Sequence, residues 1–97
     1  MKFRSSFVAN SSSASFIIDK KHLTDKQIKH IYLHIEYGQL KKFYKPYSVV
    51  GYDRWDINED ENHIKGNTTM DNFDMLGYLT SIIGIDKKNI KWEEGLL

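Results

Sequence analysis

The chain has no cysteine. That excludes a disulfide framework, a thiolate metal site and a thiol nucleophile. No apolar run approaches the roughly 20 residues that a membrane span requires. The opening Met1-Lys2-Phe3-Arg4-Ser5-Ser6-Phe7 is basic but lacks a continuous apolar stretch, so it does not read as a secretory signal. A soluble, intracellular protein is expected. No Gly-x-Ser-x-Gly elbow surrounds any serine, and no glycine-rich phosphate loop is present. These absences remove the common routes to nucleophilic and phosphoryl-transfer chemistry, and a non-enzyme without cofactor or metal is expected.

What is present is an ordinary globular composition. The 97 residues are 40% hydrophobic, 28% charged and 13% aromatic, enough for one domain with a single core. The expected organisation is one domain over residues 1–97, with residues 1–14 as a serine-rich N-terminal segment. The net charge of +1 conceals an asymmetry. Residues 1–52 hold nine Lys/Arg against three Asp/Glu, and residues 53–97 hold five against ten. A basic half can mark a contact surface for nucleic acid or an acidic partner. Equally, the halves can interleave in the fold and mix their charges on a solvated surface.

Residues 5–15 include six serines, which favour loops because their hydroxyls compete for backbone hydrogen bonds. The tract lies between apolar Phe7-Val8 and Phe16-Ile17-Ile18, two anchors expected to dock on the core. Residues 15–20 read as a strand. Thr24 and Gln27 stand at capping-box spacing, and Asp25 suits the positive end of a helix. Ile28, Ile31, Tyr32 and Ile35 then mark an expected buried stripe, with Gly38 as the stop. Pro46 ends anything helical before it.

Residues 47–52 are β-prone and could form a short edge strand. Residues 54–58 alternate Trp55 and Ile57 inward, 59–62 form a turn, and 63–69 return as a strand weakened by Gly66. A second helix is expected from Asp71, carrying Phe73, Leu76, Leu79, Ile82 and Ile83 and ending at Gly84. Residues 89–93 form the last strand. The order is that of an α+β, ferredoxin-like βαββαβ unit, with two helices on one face of a four-stranded antiparallel sheet.

His30 and His34 stand four apart on the first helix, but Ile31 occupies the position where a zincin motif has glutamate. No third ligand is fixed by spacing, His22 and Glu36 being only possibilities, so both imidazoles read as solvated surface groups. With Leu33 and Tyr37 they make a candidate partner-binding patch: His30, Leu33, His34 and Tyr37. The N-terminal tail or residues 39–47 could instead cover that face. The acidic run Asp53, Asp56, Glu59, Asp60 and Glu61 lacks calcium-loop spacing and reads as solvated. A βαββαβ sheet invites an RNA-recognition reading, yet the third strand carries no aromatic. An alternative nucleic-acid surface is the set Lys20, Lys21, Lys26, Lys29, Lys41, Lys42 and Lys45.

The opening Met1-Lys2-Phe3-Arg4-Ser5-Ser6-Phe7-Val8-Ala9-Asn10-Ser11-Ser12-Ser13-Ala14-Ser15-Phe16-Ile17-Ile18 resembles a start, close to MKxRxxFVSNSSSSSFII, of small, mostly uncharacterised proteins of tailed bacteriophages and some bacteria. Asp71-Asn72-Phe73-Asp74-Met75 and Ile90-Lys91-Trp92 also look similar to members of that group. Ser6, Ala9 and Ala14 depart conservatively from the commonest letters. The resemblance implies a phage accessory protein in the host cytoplasm and implies no activity. The expectation is a binder of a host protein, acting in host takeover or against a host defence, with homodimerisation as a further possibility.

Overall fold

A computed structural model of the chain describes residues 13–45, 53–69 and 73–94. The serine tract up to residue 12, the Phe7-Val8 anchor, the 47–52 strand and the Asp71 helix start lie outside the described residues. The elements run β1 (Ala14–Asp19), α1 (Asp25–Tyr32), α2 (His34–Leu40), β2 (Asp56–Glu59), β3 (His63–Thr68), α3 (Met75–Gly77) and β4 (Ile90–Glu94). The protein is α+β, with one four-stranded sheet in the order β2-β3-β1-β4, every neighbouring pair antiparallel.

Alternation in β1 sets the two faces of the sheet. Ala14, Phe16 and Ile18 point into the core, where they meet Ile64 of β3 and Ile90 of β4. The same cluster contains Ile31, Ile35, Phe73, Tyr78 and Leu79 from the helical segments, so those segments pack on this one face. Ser15, Ile17 and Asp19 point the other way. Phe16 faces Gly66 across the β1–β3 ladder. A Cβ on Gly66 would lie 2.3 Å from the Phe16 ring and 3.0 Å from Ile57. The glycine read from sequence as a weakness is the floor on which the central aromatic lies.

The first helix starts as its capping box predicts. The Thr24 side chain accepts from the Gln27 amide at 3.1 Å, and the Gln27 side chain accepts from the Thr24 amide at 2.9 Å. Its far end differs from expectation. The backbone breaks at Leu33 (φ −97, ψ 35) and resumes as α2, which runs through Gly38 to Leu40. Gly38 is not a stop. It is buried, and a Cβ there would stand 3.3 Å from both the Phe73 ring and the Tyr44 Cβ. The turn out of α2 is made by Lys42, whose φ is +59. The amides of Lys42 and Phe43 donate to the carbonyls of Gln39 and Gly38 at 3.0 and 2.8 Å. This is a Schellman closure with lysine where glycine is usual.

The second helical segment is shorter and wider than its apolar spacing suggests. Asp74 caps it, accepting from the Gly77 amide at 3.0 Å. After α3 the chain widens into a π-helical turn over Tyr78–Ile82. The Ile83 amide donates to the Tyr78 carbonyl at 3.0 Å, an i to i+5 bond. Gly84, at φ +87, ends it as expected. No helix among the described residues is long and apolar enough to cross a membrane.

Candidate functional site

The four patch residues separate. His34 is a correction: it is 0% exposed and belongs to the core. Its Nε2 accepts the Trp55 amide N–H at 3.0 Å, so Nδ1 carries the proton and donates to the Ile31 carbonyl at 2.8 Å. Its ring meets Phe73 edge-on at 5.1 Å. Burial is the main reason its pKa falls, to about 4. The buried stripe is Ile31, His34, Ile35 and Gly38, a regular i, i+3, i+4, i+7 set. Tyr32, expected inside, is exposed instead, and its hydroxyl donates to Glu59 at 2.9 Å. A polar residue took the core position because both ring nitrogens find backbone partners there.

His30 and Tyr37 lie together and half-buried, and the exposed Leu33 and Leu40 stand at neighbouring helical positions. Leu33 is 40% exposed and Leu40 is 72% exposed. The spacing 30, 33, 37, 40 is that of a helix seam. The His30 and Tyr37 rings stack at 3.8 Å with 8° between their planes. The α1 end is tied down from below, where the Tyr78 hydroxyl donates to the His30 carbonyl at 2.6 Å. Partial burial of the His30 ring lowers its pKa, with further contributions from Lys26, Lys29 and Lys41. The Lys41 ammonium stands 5.5 Å from the Tyr37 ring centroid. An apolar and aromatic seam thus runs beside three cations. Leu40 lies beyond Gly38, the expected helix end, and joins the helical face because α2 runs on through Gly38.

The seven lysines of the candidate nucleic-acid set do not form one surface. Lys20 is paired with Glu59. Lys26, Lys29 and Lys41 surround the seam, as their common effect on His30 shows. Lys42 and Lys45 line a hollow of about 630 Å³ with Gln39 and Tyr44. Lys21 lines a different hollow, of about 230 Å³, at one end of the sheet face opposite the core.

Three members of the acidic run, Asp53, Glu59 and Asp60, are engaged within the fold, and Asp56 and Glu61 are exposed. Asp60 accepts the amides of Asn62 and His63, each at 2.8 Å, and pairs with Lys65 at 3.1 Å. The backbone bond from Asn62, then Lys65, holds its carboxyl well below the usual range. Asp53 is buried and accepts from the Tyr44 hydroxyl, whose pKa burial and this bond push up to about 12. Glu59 is held by Lys20 and Tyr32. Among the described residues, no group of three His, Asp or Glu side chains is placed to hold a metal ion.

No protein-family model, curated protein or solved structure matches this chain.

Proposed function

We propose that the protein is a bacteriophage accessory protein of ferredoxin-like βαββαβ fold that binds a host protein in the host cytoplasm and carries out no reaction of its own. The strand order, with β1 flanked by β3 and β4 and with the helical segments behind one face, supports the fold. The opening motif supports the origin. The observation that carries the binding reading is the seam His30, Leu33, Tyr37 and Leu40, two of whose members are large and exposed. Its partner is a protein surface with an apolar centre and an acidic rim, the complement of leucines flanked by Lys26, Lys29 and Lys41.

Site-specific photo-crosslinking tests this. A photoreactive residue at position 33 or 40 should give a discrete adduct with one host protein, and the same probe at the exposed Asp86, in the turn before β4, should not. Leu33→Asp in the purified pair should abolish binding. Adducts equally strong from all three positions, or binding indifferent to Leu33→Asp, would overturn the reading. Nucleic acid on Lys20, Lys21, Lys26, Lys29, Lys41, Lys42 and Lys45 is the weaker alternative, because Lys20 is neutralised by Glu59 and Lys21 belongs to a separate hollow.

A further inference from the structure

The face of the sheet opposite the core is graded in charge. Pairing register sets side by side Asp56, Asn67, Ser15 and Glu93 in one row, then Asn58, Lys65, Ile17 and Lys91 in the next. Beyond the second row lies the 230 Å³ hollow. Three lysines line it from three different places: Lys21 from the turn after β1, Lys88 from the turn before β4, and Lys91 from β4 itself. None of the three makes an ion pair with a carboxylate among the described residues, where the lysine pairs are Lys20–Glu59 and Lys65–Asp60. Asp19 is the single carboxylate in the lining. It accepts the Lys21 amide at 3.0 Å and so helps hold the turn that presents Lys21. The lining therefore keeps a formal surplus of positive charge, while Glu93 and Asp56 stand at the opposite end of the face.

Two further properties narrow the ligand. The hollow is also lined by His22, His63 and Asn89, short polar side chains able to donate to oxygen. Its floor is Ile17, a β-branched apolar side chain left 38% exposed between Lys65 and Lys91. An inorganic anion needs only the lysines. A ligand with a charged end and a flat apolar body uses both the lysines and Ile17.

We propose that this hollow is a nucleotide site, with a phosphate held by Lys21, Lys88 and Lys91 and the base or sugar lying on Ile17. The site draws on both halves of the chain, since Lys88 and Lys91 come from the acidic one. It stands apart from the helix seam and does not depend on it. The volume admits a phosphate with its sugar, and the base extends over the part-exposed Ile17. The same chemistry is offered by a free mononucleotide and by the end of a single strand.

Backbone amide NMR of the full chain, titrated separately with uridine 5′-monophosphate, a single-stranded RNA hexamer and inorganic phosphate, tests the site. The nucleotide or the hexamer should shift the amides of Lys21, His22, Asn89 and Lys91 and leave those of Lys26 and Lys29 unmoved. Lys88→Glu with Lys91→Glu, both exposed positions, should weaken binding about tenfold or more, as loss of charge-assisted contacts does. Ile17→Thr keeps the β-branch and should weaken the nucleotide several-fold while leaving phosphate unchanged. Lys26→Glu should do nothing. Tighter binding of the hexamer identifies a strand as the source, and equal binding identifies a free nucleotide. Absence of shifts at millimolar nucleotide, shifts centred on Lys26 and Lys29, or equal response to nucleotide and phosphate with no effect of Ile17→Thr would overturn the proposal.

Discussion

The imidazole of His34 and the backbone amide of Trp55 are joined by a 3.0 Å hydrogen bond in which the ring is the acceptor. This bond can exist only while Nε2 is unprotonated, so the core of the protein contains a group that acid switches from acceptor to donor. The folded pKa is about 4, against about 6.5 for an unfolded histidine. Between these values the unfolded chain takes up a proton that the folded chain refuses. Stability is therefore undiminished above pH 6.5, falls as the pH drops through this window, and by pH 4 is lower by about 3 kcal/mol. His30, whose pKa is also lowered, adds in the same direction. Urea denaturation at a series of pH values checks this. His34→Gln, which keeps a neutral acceptor near the Trp55 amide, should flatten most of the slope between pH 6.5 and 4.

Phe16 and Gly66 form a size-matched pair. Gly66→Ala places a methyl inside the van der Waals surface of the Phe16 ring and should cost about 3 kcal/mol, the upper part of the range for overpacking. Phe16→Leu alone is destabilising through lost packing, but in that background Gly66→Ala should cost much less. A double-mutant cycle in urea reads the coupling directly, and additive effects would rule it out.

Lys42 holds a left-handed backbone conformation at φ +59 in the closure of α2. Lys42→Gly removes that strain and should stabilise the protein by about 1 kcal/mol, with the urea midpoint raised and the m-value unchanged. The opposite substitution at Gly84, where φ is +87 and there is open space around the α-carbon, should cost a similar amount. In Gly84→Ala the loss comes from backbone strain alone.

Leu40 contributes little to the fold because 72% of it is in water, whereas Leu33 is only 40% exposed. Leu40→Asp should change stability by roughly 0.5 kcal/mol or less and Leu33→Asp by about 1 kcal/mol, while both remove the apolar centre of the proposed binding seam. Thermal melts of the free variants, set against their affinity for the crosslinked partner, separate the two effects. Large destabilisation would show that these leucines serve the fold.

The helix start at Thr24 and Gln27, the strand that carries Phe16 and Ile18, and the stop at Gly84 were all legible in the sequence, although Ile17, expected on the core with its neighbours, faces away from it. Each depends on hydrogen bonds or steric limits within a few residues, so local chemistry is sufficient to specify it. The α+β class followed from the order of those elements. The exposure of Leu33 was legible for the same reason, as a position off the apolar stripe, whereas Tyr37 is half-buried against the core.

What the tertiary structure alone decided is which side chains the other elements cover. A histidine scores as polar by itself; His34 became core because the Trp55 amide, 21 residues away, supplies a donor to its ring. Gly38 and Gly66 look like breaks until Phe73, Tyr44 and Phe16 are set against them. The exposed Leu40 emerged only once the helix was seen to pass through Gly38. Lys21, Lys88 and Lys91 share a hollow because β1 pairs with β4, a proximity that no local spacing encodes. Sequence by itself determined the elements, since their causes are short-range. Burial, the tautomer of His34 and the convergence of charge are long-range properties, fixed when the strands and helical segments closed around one core.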